Sequence, residues 1–152
     1  MRTLKIAAIA VLFATAANAE TITPYQPAAA SRSHYGYAET QLDWNRVRVS
    51  FSGAPGADLE SVESALLYRA AETTLQRGFD YFAVVDHDVD TTTEFAAAGP
   101  PAPPLLPPRR YREINRHESV SEILMYHGVR PEGRANVYDA RFVTSRLAGR
   151  VR

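Results

Sequence analysis

The chain has 152 residues, no cysteine, and 17 basic against 17 acidic side chains, for a formal net charge of zero. That length suits one domain with a single core, and without cysteine its stability must come from packing rather than disulfides. The balanced charge, with no Lys/Arg run longer than two, gives no footing for a nucleic-acid binder.

The N-terminus reads MRTLKIAAIAVLFATAANAE: Arg2 and Lys5, an apolar run from Ile6, then Ala17-Asn18-Ala19. This predicts a secretory signal peptide over 1–19, with Ala17 and Ala19 as the small side chains that signal peptidase requires. The apolar run is about 11 residues where a permanent span needs about 20. Glu20 stands where a lipoprotein would carry its acylated cysteine. The expectation is therefore a periplasmic or secreted protein with no transmembrane segment and no lipid anchor. Removing 1–19 leaves 15 arginines against 17 acids, unevenly spread: 5 against 12 over 20–100, then 10 against 5 over 101–152. Pairing between the two halves is the plain reading, because arginine favours carboxylates.

Residues 20–34 are polar and rich in Pro and Ala without periodicity, which predicts a disordered lead-in. A single domain is expected over 35–152. In Asn45–Ser52 the residues Val47, Val49 and Phe51 alternate with Arg46, Arg48 and Ser50, as in a half-buried strand. Asp58 reads as the N-cap of a helix from Leu59 to Arg77 that Gly78 ends. Its main apolar arc holds Leu59, Val62, Leu66, Leu67, Ala70, Thr73 and Thr74. Tyr68, Ala71 and Leu75 form a second patch that calls for cover from another segment. Phe79–Val85 is apolar on both parities, as in a central strand. Strand, helix, strand in this order predicts a βαβ unit with a right-handed crossover.

Six of the ten prolines fall within 91–110, which predicts an exposed Pro-rich loop. Glu118–His127 reads as a strand buried at Ile123–Tyr126. Asn136 is the expected cap of a final helix from Val137 to Ala148 that packs through Val143 and Leu147. The fold class expected is α+β: a small mixed sheet of three or four strands with a βαβ unit, a long helix packed on it and a short C-terminal helix.

Three segments carry a family resemblance: YGYAETQLDWNRVRVSFSG (Tyr35–Gly53), LLYRAAETTLQRGFDYFAVVD (Leu66–Asp86) and NVYDARFV (Asn136–Val143). They resemble a family of small Gram-negative cell-envelope proteins, many of them lipoproteins, of uncharacterised function. The resemblance implies an α+β envelope domain and brings no catalytic residues with it. This chain departs from the pattern by lacking the lipobox cysteine.

Two clusters are candidate sites. Asp86, His87, Asp88 and Asp90 have the alternate spacing at which carboxylates can meet a cation. A calcium loop counted from Asp86 would, however, have Thr91 where glycine is needed and Ala97 where a carboxylate is needed. The plain reading is a strand end emerging into water. Arg46 and Arg48 face one way on the first strand and, with Tyr25, Tyr35, Tyr37 and Trp44 nearby, suit an acidic glycan or another envelope component. The nucleophile elbow, the zincin helix and the P-loop are all missing from the sequence, and no cofactor is implied. The reading is a non-enzymatic binding or structural module, with a metal-binding or metal-dependent hydrolytic protein as the alternative.

Overall fold

The computed structural model describes residues 21–99 and 110–151. The signal-peptide expectation and the prolines of 100–109 lie outside them. Five strands form one sheet: β1 (Gly36–Asp43), β2 (Arg46–Ser52), β3 (Tyr81–Ala97), β4 (Tyr111–Tyr126) and β5 (Val137–Asp139), in the order β1-β2-β4-β3-β5. Every pairing between these strands is antiparallel. Helix α1 (Leu59–Gln76) packs on one face, and α2 (Ala140–Leu147) follows β5.

The α+β class holds, but the sheet has five strands rather than three or four and is antiparallel rather than mixed. Strands β2 and β3 do run parallel to each other with α1 between them in sequence, yet β4 is inserted between them in space. The unit is a split βαβ. Period and length identify a strand; which neighbour it takes depends on non-local hydrogen bonds that leave no local mark.

The core lies between α1 and the facing side chains of the sheet. On β2 the alternation is as expected, with Val47, Val49 and Phe51 buried and Arg46 and Arg48 exposed. On β4 the core-facing set is also alternate, Ser119, Ser121, Ile123 and Met125, so Leu124 is only half-buried and Tyr126 is exposed. Phe82 of β3 completes this side against Val62, Ala65, Leu66 and Ala70 of α1. Each large apolar side chain removed from water here stabilises the fold by about 1.5–3 kcal/mol. Two threonines in the same helix face are buried without orphaned hydroxyls. Thr74 Oγ1 donates to the Ala70 carbonyl at 2.7 Å, and Thr73 Oγ1 donates to Glu39.

The ends of α1 follow the sequence. Asp58 Oδ1 accepts the Ser61 N–H at 2.8 Å, and Gly78, at φ +83°, takes the left-handed turn that ends the helix. At α2 the cap is Asp139, which accepts the Phe142 N–H at 2.8 Å, three residues later than the Asn136 expected. Asn136 is held by β3 instead: its carbonyl accepts the Val84 N–H at 2.9 Å, and its side-chain amide donates to the Val84 carbonyl at 3.1 Å. These bonds keep Val137–Asp139 extended as β5, which delays the helix.

Two further expectations are corrected. The segment from Thr21 to Ser33 is a strap docked on the fold rather than a disordered lead-in. The Tyr37 N–H donates to the Gln26 carbonyl at 2.9 Å, and the Ala54 N–H donates to Thr23 Oγ1 at 2.7 Å. Tyr25 inserts its ring among Tyr37, Phe51 and Tyr68, with centroids 5.0, 6.4 and 5.3 Å away. It thereby covers part of the second patch of α1. Its hydroxyl donates to Glu72; burial and then that carboxylate push the phenol well above its usual range. Arg69 lies 4.1 Å over the Tyr37 ring and pairs with Glu39 and Glu72. Burial alone would lower the Arg69 guanidinium, and the Glu39 charge and Tyr25 reverse that.

The loop expected over 91–110 begins later, because Thr91–Ala97 continue β3 and pair with Tyr111–His117 of β4. One extra residue, Val85, makes this strand irregular: pairing runs Val84 to Ile123 and resumes at Asp86 with Glu122. This bulge exchanges the faces of the strand. Phe82 and Val84 point to the core before it; His87 and Val89 do so after it.

Candidate functional site

The bulge decides what becomes of the acidic cluster. Asp86, Asp88 and Asp90 lie exposed on the outer sheet face, while His87 lies on the core side, so the four do not converge. Successive same-face positions on a strand are roughly 7 Å apart. Among the described residues no group of three or more His, Asp or Glu side chains is placed to hold a metal ion.

Arg46 and Arg48 do face one way, and both reach Glu122, which pairs with β2 from the neighbouring strand. Glu122 is only 6% exposed although it sits on the open side of the sheet. The two guanidiniums are its cover as well as its counter-charge. The two candidate arginines are thus already engaged inside the molecule, and Trp44 sits apart from them against Phe79, at 5.9 Å.

The concave surface is elsewhere. Between α1, α2, β5 and the segment 128–136 lies a cavity of about 800 Å³, floored by Leu67, Val137, Val143 and Leu147. A second cavity of about 400 Å³ continues along α1 toward Glu63, Val84, His87 and Ser121. Leu67, Ala135 and Tyr138 line both, so the two cavities adjoin, and together they make the trough. Local chemistry shapes its outer wall. Gly128 and Gly133 take positive φ at the turns of 128–136, Asp80 accepts the Gly128 N–H at 2.8 Å, and Arg130 Nε donates to the Val137 carbonyl at 2.7 Å.

Apolar side chains also stand at the mouth of the trough: Phe142 is 66% exposed and Val129 93%. The rim is polar. Asp139 is occupied as the α2 cap, Asp80 lies 3.8 Å from Arg141, and Arg146 has no carboxylate within 4.0 Å among the described residues. Such a site can take an apolar body along its floor and a polar end at the arginines of α2.

At the far end, His87 Nδ1 lies 2.8 Å from Ser121 Oγ and Nε2 lies 3.5 Å from Glu63 Oε1. The order serine, histidine, carboxylate resembles a nucleophilic relay, but Ser121 sits mid-strand with its backbone groups in the β2–β4 ladder. Its neighbours Val120 and Glu122 are likewise in strand pairing, with Asp88 and Asp86, rather than at a turn that would present N–H groups to an oxyanion. What the three residues do is tie β4 and β3 to α1.

The chain matches no family model, no curated protein and no solved structure. The trough therefore rests on geometry, and sequence reasoning missed it. Its one advance signal was Phe142, an aromatic beside rather than on the Val143–Leu147 packing line of the last helix. No helix among the described residues is long and apolar enough to cross a membrane.

Proposed function

We propose that this chain is an exported, non-enzymatic protein of the cell envelope and that it binds an apolar or amphiphilic envelope component in the trough beside α2. The observation that carries the reading is the pair of adjoining cavities that share Leu67, Ala135 and Tyr138, with Phe142 and Val129 exposed at the mouth of the larger. Apolar side chains left in water at the entrance of a concavity are what an apolar ligand would cover. Export is supported by the leader, with Arg2 and Lys5, the apolar run and Ala17-Asn18-Ala19. Glu20 in place of cysteine supports a released rather than a lipid-anchored form, and the three resembling segments support the envelope as its location.

Dodecanoate, held below its micellar concentration, is a suitable probe, since it has a single apolar chain and one carboxylate. Calorimetric titration should give saturable binding that Phe142→Glu weakens by about tenfold or more. Phe142 is exposed, so the variant should fold. Absence of binding, or equal binding by the variant, would remove the trough from the account. N-terminal sequencing of the exported protein tests the location separately, with Glu20 as the expected first residue.

A further inference from the structure

The β3–β4 hairpin leaves one long edge of the sheet open. Strand β5 covers β3 only at Tyr81–Ala83, and Asn136 ends that pairing at Val84. From Asp86 to Ala97 nothing among the described residues pairs with the far side of β3. In an antiparallel ladder both backbone groups of a residue point the same way, alternating along the strand. Ala98 N–H donates to the Arg110 carbonyl within the hairpin, so even-numbered residues face β4, and those of His87, Val89, Thr91, Thr93 and Phe95 face outward. One outward donor, Val89 N–H, turns to the Asp88 carboxylate at 3.0 Å.

The side chains along this edge are sorted by charge. Asp86, Asp88, Asp90 and Glu94 share the outer sheet face, and no Arg or His lies within 4.0 Å of their carboxylates among the described residues. Across the strand Asp90 is opposite Glu118 and Asp86 opposite Glu122, the latter already paired with Arg46 and Arg48; Arg116 and Arg112 share this face opposite Thr92 and Ala96 but reach no carboxylate within 4.0 Å among the described residues. The other face of the same edge carries Val89, Thr91, Thr93 and Phe95, and Phe95 is 66% exposed. An added strand would meet acids on one side and β-branched or aromatic residues on the other. A second copy pairing through this edge would bring carboxylates into apposition, which such edges resist.

We propose that the open edge of β3, from Asp86 to Phe95, accepts an extended segment of a partner protein in which arginine or lysine alternates with β-branched residues. Main-chain hydrogen bonds to the outward amides supply the attachment, and the alternation sets the register. The inference does not rest on the trough, although His87, at the near end of this edge, also lines the second cavity.

The probe is a fluorescein-labelled (Arg-Val)4 peptide, followed by anisotropy, with the block peptide Arg4Val4 and the acidic (Glu-Val)4 as controls. The alternating basic peptide should bind. The acidic one should not bind, and the block peptide should be weaker by roughly tenfold or more. Thr93→Pro removes an outward N–H without touching the ladder to β4 and should weaken binding by a similar factor. Hydrogen exchange on the unaltered protein gives a second readout: bound peptide should slow the amides of His87, Thr91, Thr93 and Phe95 and leave Asp88, Asp90 and Thr92 unchanged. Equal binding of the block peptide, or protection without this odd-even pattern, would reduce the edge to a charged surface and overturn the proposal.

Discussion

Truncating Tyr25 tests whether the strap from Thr21 to Ser33 belongs to the fold. Its ring contacts Tyr37, Phe51 and Tyr68, and its hydroxyl binds Glu72. Cutting a fully buried aromatic to alanine costs about 3–5 kcal/mol. Tyr25 is half-buried, so about half of that applies, roughly 2 kcal/mol. At about 3–5 °C per kcal/mol for a domain of this size, Tyr25→Ala should melt about 6–10 °C below the parent. Tyr25→Phe keeps the ring contacts and loses only the bond to a charged acceptor, a loss of about 1 kcal/mol once solvent access is allowed for. The pH dependence separates the two roles. A phenol whose pKa is raised by folding contributes stability that is complete below the unfolded value, about 10, and is lost as pH rises above it. The parent should therefore lose stability above about pH 10 more steeply than Tyr25→Phe. Differential scanning fluorimetry on the chain beginning at Glu20 measures all three. A Tyr25→Ala midpoint within about 2 °C of the parent would mean that the strap is not docked and that the reasoning fails.

Asp58→Ala should cost about 1 kcal/mol in chemical denaturation, because it removes the cap of α1. The Ser61 side chain and backbone hold the Asp58 carboxyl below its ordinary range, so this contribution is present above about pH 4 and is lost as the pH falls through the lowered value; the parent and variant curves should converge in acid. Ser119 Oγ is buried with no hydrogen-bond partner among the described residues, so Ser119→Ala should leave stability unchanged or raise it by about 1 kcal/mol, and a loss of 2 kcal/mol or more would show that the hydroxyl has a partner. Because Asp86, Asp88 and Asp90 lie on the opposite face from His87, neither EDTA nor millimolar calcium should move the melting midpoint; a rise of several degrees with calcium would reinstate a metal site.

Much of the secondary structure was legible because it rests on local rules. The Val47-Val49-Phe51 alternation, the Asp58 cap and the Gly78 stop each depend on a few adjacent residues, and each stands where the sequence puts it. The apolar residues on both parities of 79–85 do mark a strand with neighbours on both sides, since β4 and β5 flank Tyr81–Ala83. That flanking ends at the Val85 bulge, beyond which β3 is an edge paired with β4 alone. Thr91, Thr92, Thr93 and Phe95 have strand propensity, but the prolines that follow them dominated the window. The lead-in was misread for a related reason: Tyr25 docks through partners at positions 37, 51, 68 and 72, a non-local set that no window contains.

The two sites differ in the same way. Each candidate residue was visible as a type, but its direction depended on register. Strand alternation separates His87 from the aspartates, the inserted residue decides that His87 takes the core side, and one cross-strand pairing brings Glu122 to Arg46 and Arg48. The trough is built from α1, β5, α2 and the turn before β5, and could not have been assembled from spacing.

Amide chemical-shift mapping of the folded domain titrated with dodecanoate addresses the binding claim at residue resolution. Perturbations concentrated at Leu67, Ala135, Tyr138 and Phe142, saturating together, are the predicted result. Shifts confined to the outer sheet face, or none at all, would contradict it.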